Sequence, residues 1–330
     1  MSTSDTTPHE VIDRALHAAT RAPSVHNTQP WRFVVAPPRV ELHLDRERVL
    51  SVADPDAREA QLSCGAALLN LTLALRAADH AVVTDLLPDP TRPDHLATVR
   101  IGGYRMPSPE IRSLATAIHR RATNRRPFHD RPVPAALRQA LVHAAEQEGA
   151  QLTMLDTPRA LETFADLLRR ADHLQEEDPA FQAELRMWTT GVPGRPDGVP
   201  RSAGGPRPIG GELLKLRHYH HGVTTPRREF EQEPLVAVLT SAGDTIRDRL
   251  RAGQAMQRVL LSATTTGLGV SFLSQPIEVP YIRAAVRTLL GGRRHPQTAL
   301  RIGYGDPAAP TPRRSVSAVA TFPTSHGVTS

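Results

Sequence analysis

Cysteine is almost missing from this 330-residue chain. Cys64 is the only one, which excludes an internal disulfide framework and any metal site built from several thiolates. Lysine occurs once, at Lys215, so a net charge of +6 is carried almost wholly by arginine. Aromatic residues make up only 4%. The arginines are scattered rather than gathered into a stripe, and few aromatics lie between them. A nucleic-acid surface, which needs concentrated charge or stacking platforms, is therefore not expected. No window reaches the ~18 uninterrupted apolar residues of a membrane-spanning helix. Residues 1–10 have neither a basic start nor an apolar core, so the expectations are no secretory leader, no membrane partner and a cytoplasmic location.

What is present is an ordinary globular balance, 39% hydrophobic and 22% charged residues. The periodicities alternate between helix and strand. Apolar residues at 11, 12, 15, 16 and 19 predict a helix ending near Thr20. Strands are expected over Arg32–Ala36 and Val40–Leu44, with Glu41 and His43 pointing outward. A long apolar helix follows over Gln61–Ala78, then strands Ala81–Leu87 and Leu96–Ile101. A similar series closes the chain: helix Ala252–Thr266, strand Gly267–Leu273, a short helix Tyr281–Leu290 and strand Thr298–Ile302. The tails His95–Gly103 and His295–Gly303 read alike, and helix Ala135–Glu148 with strand Gln151–Leu155 has the order of Val11–Ala36. These matches predict a two-fold internal repeat, 1–110 and 111–330. The second repeat is longer, and its excess falls at about 157–233. That stretch holds a helical run, Pro158–His173, and a Pro/Gly-rich run over 191–211, expected to form a lid or else a mobile linker.

Three segments carry candidate chemistry. Arg21 to Phe33 brackets small polar residues between Pro23 and Pro30, giving an ordered turn with exposed N–H and hydroxyl groups before a strand. Taken alone, it is a helix-to-strand connection closed by a buried Trp31. Arg120 to Phe128 places four arginines around Thr123, a set able to fork onto phosphate oxygens; taken alone, it is a solvated basic helix end. Near the end, Pro310-Thr311-Pro312-Arg313-Arg314-Ser315 adds two more guanidinium groups.

The order Ala22, Pro23, Ser24, Asn27, Gln29, Pro30, Trp31, Phe33 resembles the A-P-S-x-x-N-x-Q-P-W-x-F motif of the flavin-dependent nitroreductase superfamily. The segment around Arg121, Thr123 and Arg125 is similar to that family's R-R-S-x-R-x-F, and Arg313 with Arg314 to its closing P-x-R. Gly267-Leu268-Gly269 through Ser274 is similar to G-L-G-x-x-W-[IL]-G, with Phe272 and Ser274 as departures. The resemblance implies an α+β, nitroreductase-like fold of two fused repeats, each a mainly antiparallel sheet flanked by helices, with an inserted lid. It implies FMN held by Pro23, Ser24, Val25 and Asn27 on one side. On the other, Arg121, Thr123, Arg313 and Arg314 meet the phosphate and ribityl region, and Arg125 the ring's pyrimidine edge. A backbone N–H of Leu273, Ser274 or Gln275 faces flavin N5, and which of them does so stays open.

The first repeat has the A-P-S loop without an arginine cradle; the second has the cradle but Glu146 to Ala150 at the loop position. The parts add up to one site split across the halves, implying one FMN per chain and a monomer acting as an internal pseudo-dimer. That combination resembles the Acg-type branch of the family. The implied activity is NAD(P)H-dependent, ping-pong reduction of a nitroaromatic or quinone-like small-molecule acceptor, with no catalytic side chain because flavin N5 carries the chemistry. The alternative is an FMN storage protein whose lid occludes the ring. No metal is expected: Arg217-His218-Tyr219-His220-His221 lacks carboxylate or thiolate partners. Cys64 and Trp31 are expected in the core, and Tyr304 at a strand end.

Overall fold

Helix α1 (Pro8–Thr20) buries Val11, Ile12, Ala15, Leu16 and Ala19, the stripe that a 3.6-residue period dictates. The computed structural model describes residues 8–189, 192, 194–210, 212–217, 219, 227–231 and 233–322. After α1 come β1 (Trp31–Ala36), β2 (Arg39–Leu44), the fully lined apolar helix α2 (Arg58–Ala77), β3 (His80–Leu86) and β4 (His95–Tyr104). Helix α3 (Pro109–Arg120), capped by the Ser108 hydroxyl, leads to α4 (Ala135–Glu146) and β5 (Gln151–Met154).

The stretch 157–233, where the sequence places an insertion, follows. It begins with two helices rather than one, α5 (Pro158–Glu177) and α6 (Pro179–Trp188), because Asp178 stops the first and caps the second. Two short strands, β6 (Arg207–Pro208) and β7 (Arg227–Arg228), pair in parallel beyond them. The chain then resumes with β8 (Leu235–Ser241), α7 (Ile246–Thr265), β9 (Gly269–Phe272), α8 (Gln275–Glu278), α9 (Pro280–Leu289) and β10 (His295–Gly303). It closes with α10 (Val316–Val319) and β11 (Ala320–Thr321). Among the described residues, no helix is long and apolar enough to cross a membrane.

Two mainly antiparallel sheets result, ordered β11-β1-β2-β4-β3 and β5-β8-β10-β9. Leaving β11 aside, their strands are connected in the same order, first-second-fourth-third. The last strand joins the sheet of the first: β11 pairs in parallel with β1, Phe33 opposite Ala320. The sequence reading did not include α3, β8 or β11.

The sheets share one apolar core that reaches from Trp31, Phe33 and Leu42 to Leu239, Val259 and Leu300, with α2 and α7 in its middle. These two helices cross at Gly65 and Gly253, where a Cβ on either would overlap a carbonyl of the opposing helix. Trp31 and Cys64 lie fully inside, as expected, the Cys64 thiol 3.2 Å from the Pro30 carbonyl oxygen. Tyr304 directly follows β10, packs against the core as expected, and carries the Arg131 guanidinium 4.0 Å over its ring.

Candidate functional site

The loop after α1 is held in a costly shape. His26, Asn27 and Gln29 all have positive φ (47°, 58° and 55°), and none is glycine. Each such residue costs on the order of 1 kcal/mol or more and persists only where its surroundings over-determine it. Here they do. The Asn27 amide donates to the carbonyls of Gly198 and Pro312 (3.0 Å each), and the Gln29 amide to that of Pro196 (2.9 Å). Gln29 Oε1 accepts from the Arg314 N–H, and the Ser24 hydroxyl accepts from the Gln29 N–H, both at 2.9 Å. The insertion and the C-terminal segment therefore clamp the loop from two sides.

Behind the loop three arginines converge. Arg121 donates to the Arg21 carbonyl oxygen at 3.0 Å; Arg313 donates to the Arg21 and Ala22 carbonyls at 3.4 and 3.2 Å. Neither Arg121 nor Arg313 has a carboxylate partner among the described residues, and the Nε of each is buried without a partner. Burial drops Arg121 to about 10, with Arg21 and Arg125 adding to it. Burial, then Arg121 and Arg21, holds Arg313 well below its ordinary value. Cations enclosed together without a counter-charge are unfavourable in an empty protein, and an anion would relieve them.

Adjoining this cluster is a small cavity lined by residues distant in sequence. Pro23, Ser24 and Val25 of the loop form part of its wall, Glu59, Leu62 and Ser63 of α2 another. Arg125, Phe272 and Ser274 come from the second half. Arg217 and Tyr219 complete it and also border a second, smaller cavity lined by Thr123. Arg125 donates to the Ala203 carbonyl at 2.9 Å and lies 4.5 Å from the centroid of the Tyr219 ring.

Of the residues singled out from sequence, Pro23, Ser24, Val25, Arg125 and Ser274 meet at the first cavity and Thr123 at the second, while Arg121 and Arg313 meet behind the loop. Three lie elsewhere. Asn27 clamps the loop as described. Leu273 is fully buried, with its N–H committed to the Ala299 carbonyl at 2.9 Å. Arg314 turns to Asp45 (3.6 Å) and to the carbonyls of Gln29 and Ala318. His218, His220 and His221 lie outside the described residues.

Four cavity residues were not anticipated. Burial first, then Arg217, lowers His26 to about 3, so its imidazole is neutral. Burial pushes the Glu59 carboxyl up to about 8 despite Arg58 2.5 Å away. Arg217 forms a buried pair with Glu278, and Gln175 bonds both partners. Burial opposes the Arg217 charge, but Glu278 more than restores it. Glu59 had a visible signal: a charged pair, Arg58-Glu59, opening an otherwise apolar helix. Arg217 and Tyr219 had none.

Comparison with known proteins defines the class to which this fold belongs. A model of the Nitroreductase family matches residues 3–52 and 118–304. A Mycobacterium tuberculosis protein named "Putative NAD(P)H nitroreductase" is 36% identical over 333 residues, covering 95% of this chain and 92% of its own. A second from that organism, named with the suffix acg, is 31% identical over 316 residues, covering 94% and 95%. The solved structure of a nitroreductase, so titled, from Anabaena variabilis superposes with a TM-score of 0.52 at 13% identity, covering 93% of this chain and 90% of that one. This chain belongs to the nitroreductase family.

Proposed function

We propose that the chain is an FMN-dependent NAD(P)H oxidoreductase of nitroreductase type, reducing nitroaromatic or quinone-like acceptors in a ping-pong cycle. The supporting observation is the uncompensated trio Arg21, Arg121 and Arg313 beside a cavity lined from both the early and the late parts of the chain. A dianionic phosphate supplies the charge the trio lacks, and the adjoining cavity marks the side on which the attached ring would lie. The orphaned Nε atoms of Arg121 and Arg313 are the donors such a group would take up.

In this reading Arg121, Arg313 and Arg21 hold the phosphate, with Thr123 beside them. Pro23, Ser24, Val25 and Ser274 shape the ring site, and Arg125 provides positive charge there. Asn27, Leu273 and Arg314 position their neighbours. When bound, FMN supplies the centre that accepts and returns hydride. The matching strand order of the two sheets, with β11 crossing to β1, supports two fused repeats and one flavin per chain in a monomer.

The wall formed by Arg217 and Tyr219 favours a second reading, flavin storage beneath a lid. Steady-state NADPH oxidation with menadione or a nitrofuran separates the two. Turnover supports the reductase; bound flavin that NADPH cannot reduce supports storage. A chain that takes up no FMN contradicts both.

A further inference from the structure

A group of side chains outside the cavity lies on the other face of the first sheet. Val40, Leu42 and Leu44 of β2 point into the core, so Glu41 and His43 face away from it. His95 opens β4 and sits opposite His43 in the ladder, at a register shift after Leu42. Such a bulge bends the strand and re-aims side chains, and here it brings both imidazoles to one carboxylate. Glu41 Oε2 lies 2.9 Å from His43 Nε2 and 3.8 Å from His95 Nε2. The rings stack at 4.6 Å, only 18° from parallel. His95 is only 5% exposed, and its Nδ1 has no partner among the described residues.

We propose that Glu41, His43 and His95 form a binding site for a borderline divalent transition cation such as Zn²⁺, pinning β2 to β4. One ligand atom from each lies within 4.8 Å of the others. Tetrahedral zinc with ligands at about 2.0–2.1 Å places those ligands about 3.4 Å apart, so the two measured separations bracket the required edge. The donor set, two imidazoles and a carboxylate, suits zinc, and the remaining position falls to water or the Thr98 hydroxyl, 2.9 Å from His95 Nε2. The alternative is an ion pair, to which Arg92 at 3.7 Å from Glu41 also belongs. The spacing 41, 43, 95 matches no sequence motif for metal, and none of the three borders the cavity beside the loop.

The test uses the full, tag-free chain, stripped by chelator and titrated with Zn²⁺ in a calorimeter. The expected result is about one equivalent bound and a raised melting temperature. His43→Ala and Glu41→Gln, both at partly exposed positions and folded by circular dichroism, should each weaken binding by on the order of 100-fold. A His218→Ala/His220→Ala/His221→Ala variant should bind as the wild type does. With Co²⁺ in place of Zn²⁺, visible absorption of tetrahedral character should appear in the wild type and vanish in His43→Ala. The proposal is overturned if the wild type binds no Zn²⁺. It is equally overturned if His43→Ala and Glu41→Gln bind undiminished, or if the triple histidine variant alone loses the ion.

Discussion

Arg121 and Arg313, distant in sequence, donate to the same backbone oxygen, the carbonyl of Arg21. Arg21 itself adds a third positive charge, and no carboxylate among the described residues answers Arg121 or Arg313. Replacing Arg313 by Ala should therefore have opposite effects on stability and on binding. Flavin-free protein should gain about 1 kcal/mol, because a buried like charge is removed. FMN affinity should fall roughly 30-fold or more, because a charged phosphate partner is removed. Thermal melting with and without FMN checks both signs.

The pH dependence of stability should have two limbs. His26 is neutral in the fold down to about 3, while an unfolded histidine takes its proton near 6.5. Between those values the unfolded chain binds more protons, so stability falls as pH drops. Glu59 keeps its proton in the fold up to about 8, against an ordinary 4.5 when unfolded. There the folded chain binds more protons, so stability falls as pH rises. The two slopes, each at most about 1.4 kcal/mol per pH unit, oppose one another between 4.5 and 6.5, which places the optimum there. Urea unfolding across pH should show His26→Asn flattening the acid limb and Glu59→Gln the alkaline one.

The crossing of α2 and α7 leaves no room for a methyl group at Gly65 or Gly253. Gly253→Ala should destabilise by about 3 kcal/mol, as expected for backbone-level overpacking. Flavin affinity should fall with it, since the crossing sets the distance between the halves. Unchanged binding in a destabilised variant would separate the crossing from the site.

Glu231 neutralises the fully buried Arg301 (2.6 Å) and accepts the Phe128 N–H (2.9 Å), while Arg301 donates to the Arg126 carbonyl at 2.7 Å. Glu231→Gln keeps the shape and strands the charge. The expected cost is about 3 kcal/mol, with loosened positioning of Thr123 and Arg125 seen as weaker FMN binding.

Much of this was readable in the sequence because the signals were local. The helical stripe of α1, the alternation in β2 and the clustered arginines at 121–126 each arise within a few residues. Strand β11 was not readable: two residues, Ala320 and Thr321, gain their partner from the far end of the chain. The contacts made by Asn27 and Arg314 were not readable for a related reason. Amides and guanidinium groups satisfy backbone carbonyls as readily as ligands, and the carbonyls they meet, at Gly198, Pro312 and Ala318, are brought near only by folding. Arg217 was not readable either, because its partner Glu278 is brought to it only by folding, whereas the pair Arg58-Glu59 stood out locally but the burial that protonates Glu59 did not.

The most direct measurement is the absorption spectrum of purified chain of known mass, with the flavin-to-polypeptide ratio taken for the wild type, Arg121→Ala/Arg313→Ala and Arg39→Ala. The account predicts one FMN per monomeric chain in the wild type and in Arg39→Ala, whose residue begins β2 at the surface, and none in the double variant. Two equivalents per chain, none in the wild type, or equal loss in both variants would contradict it.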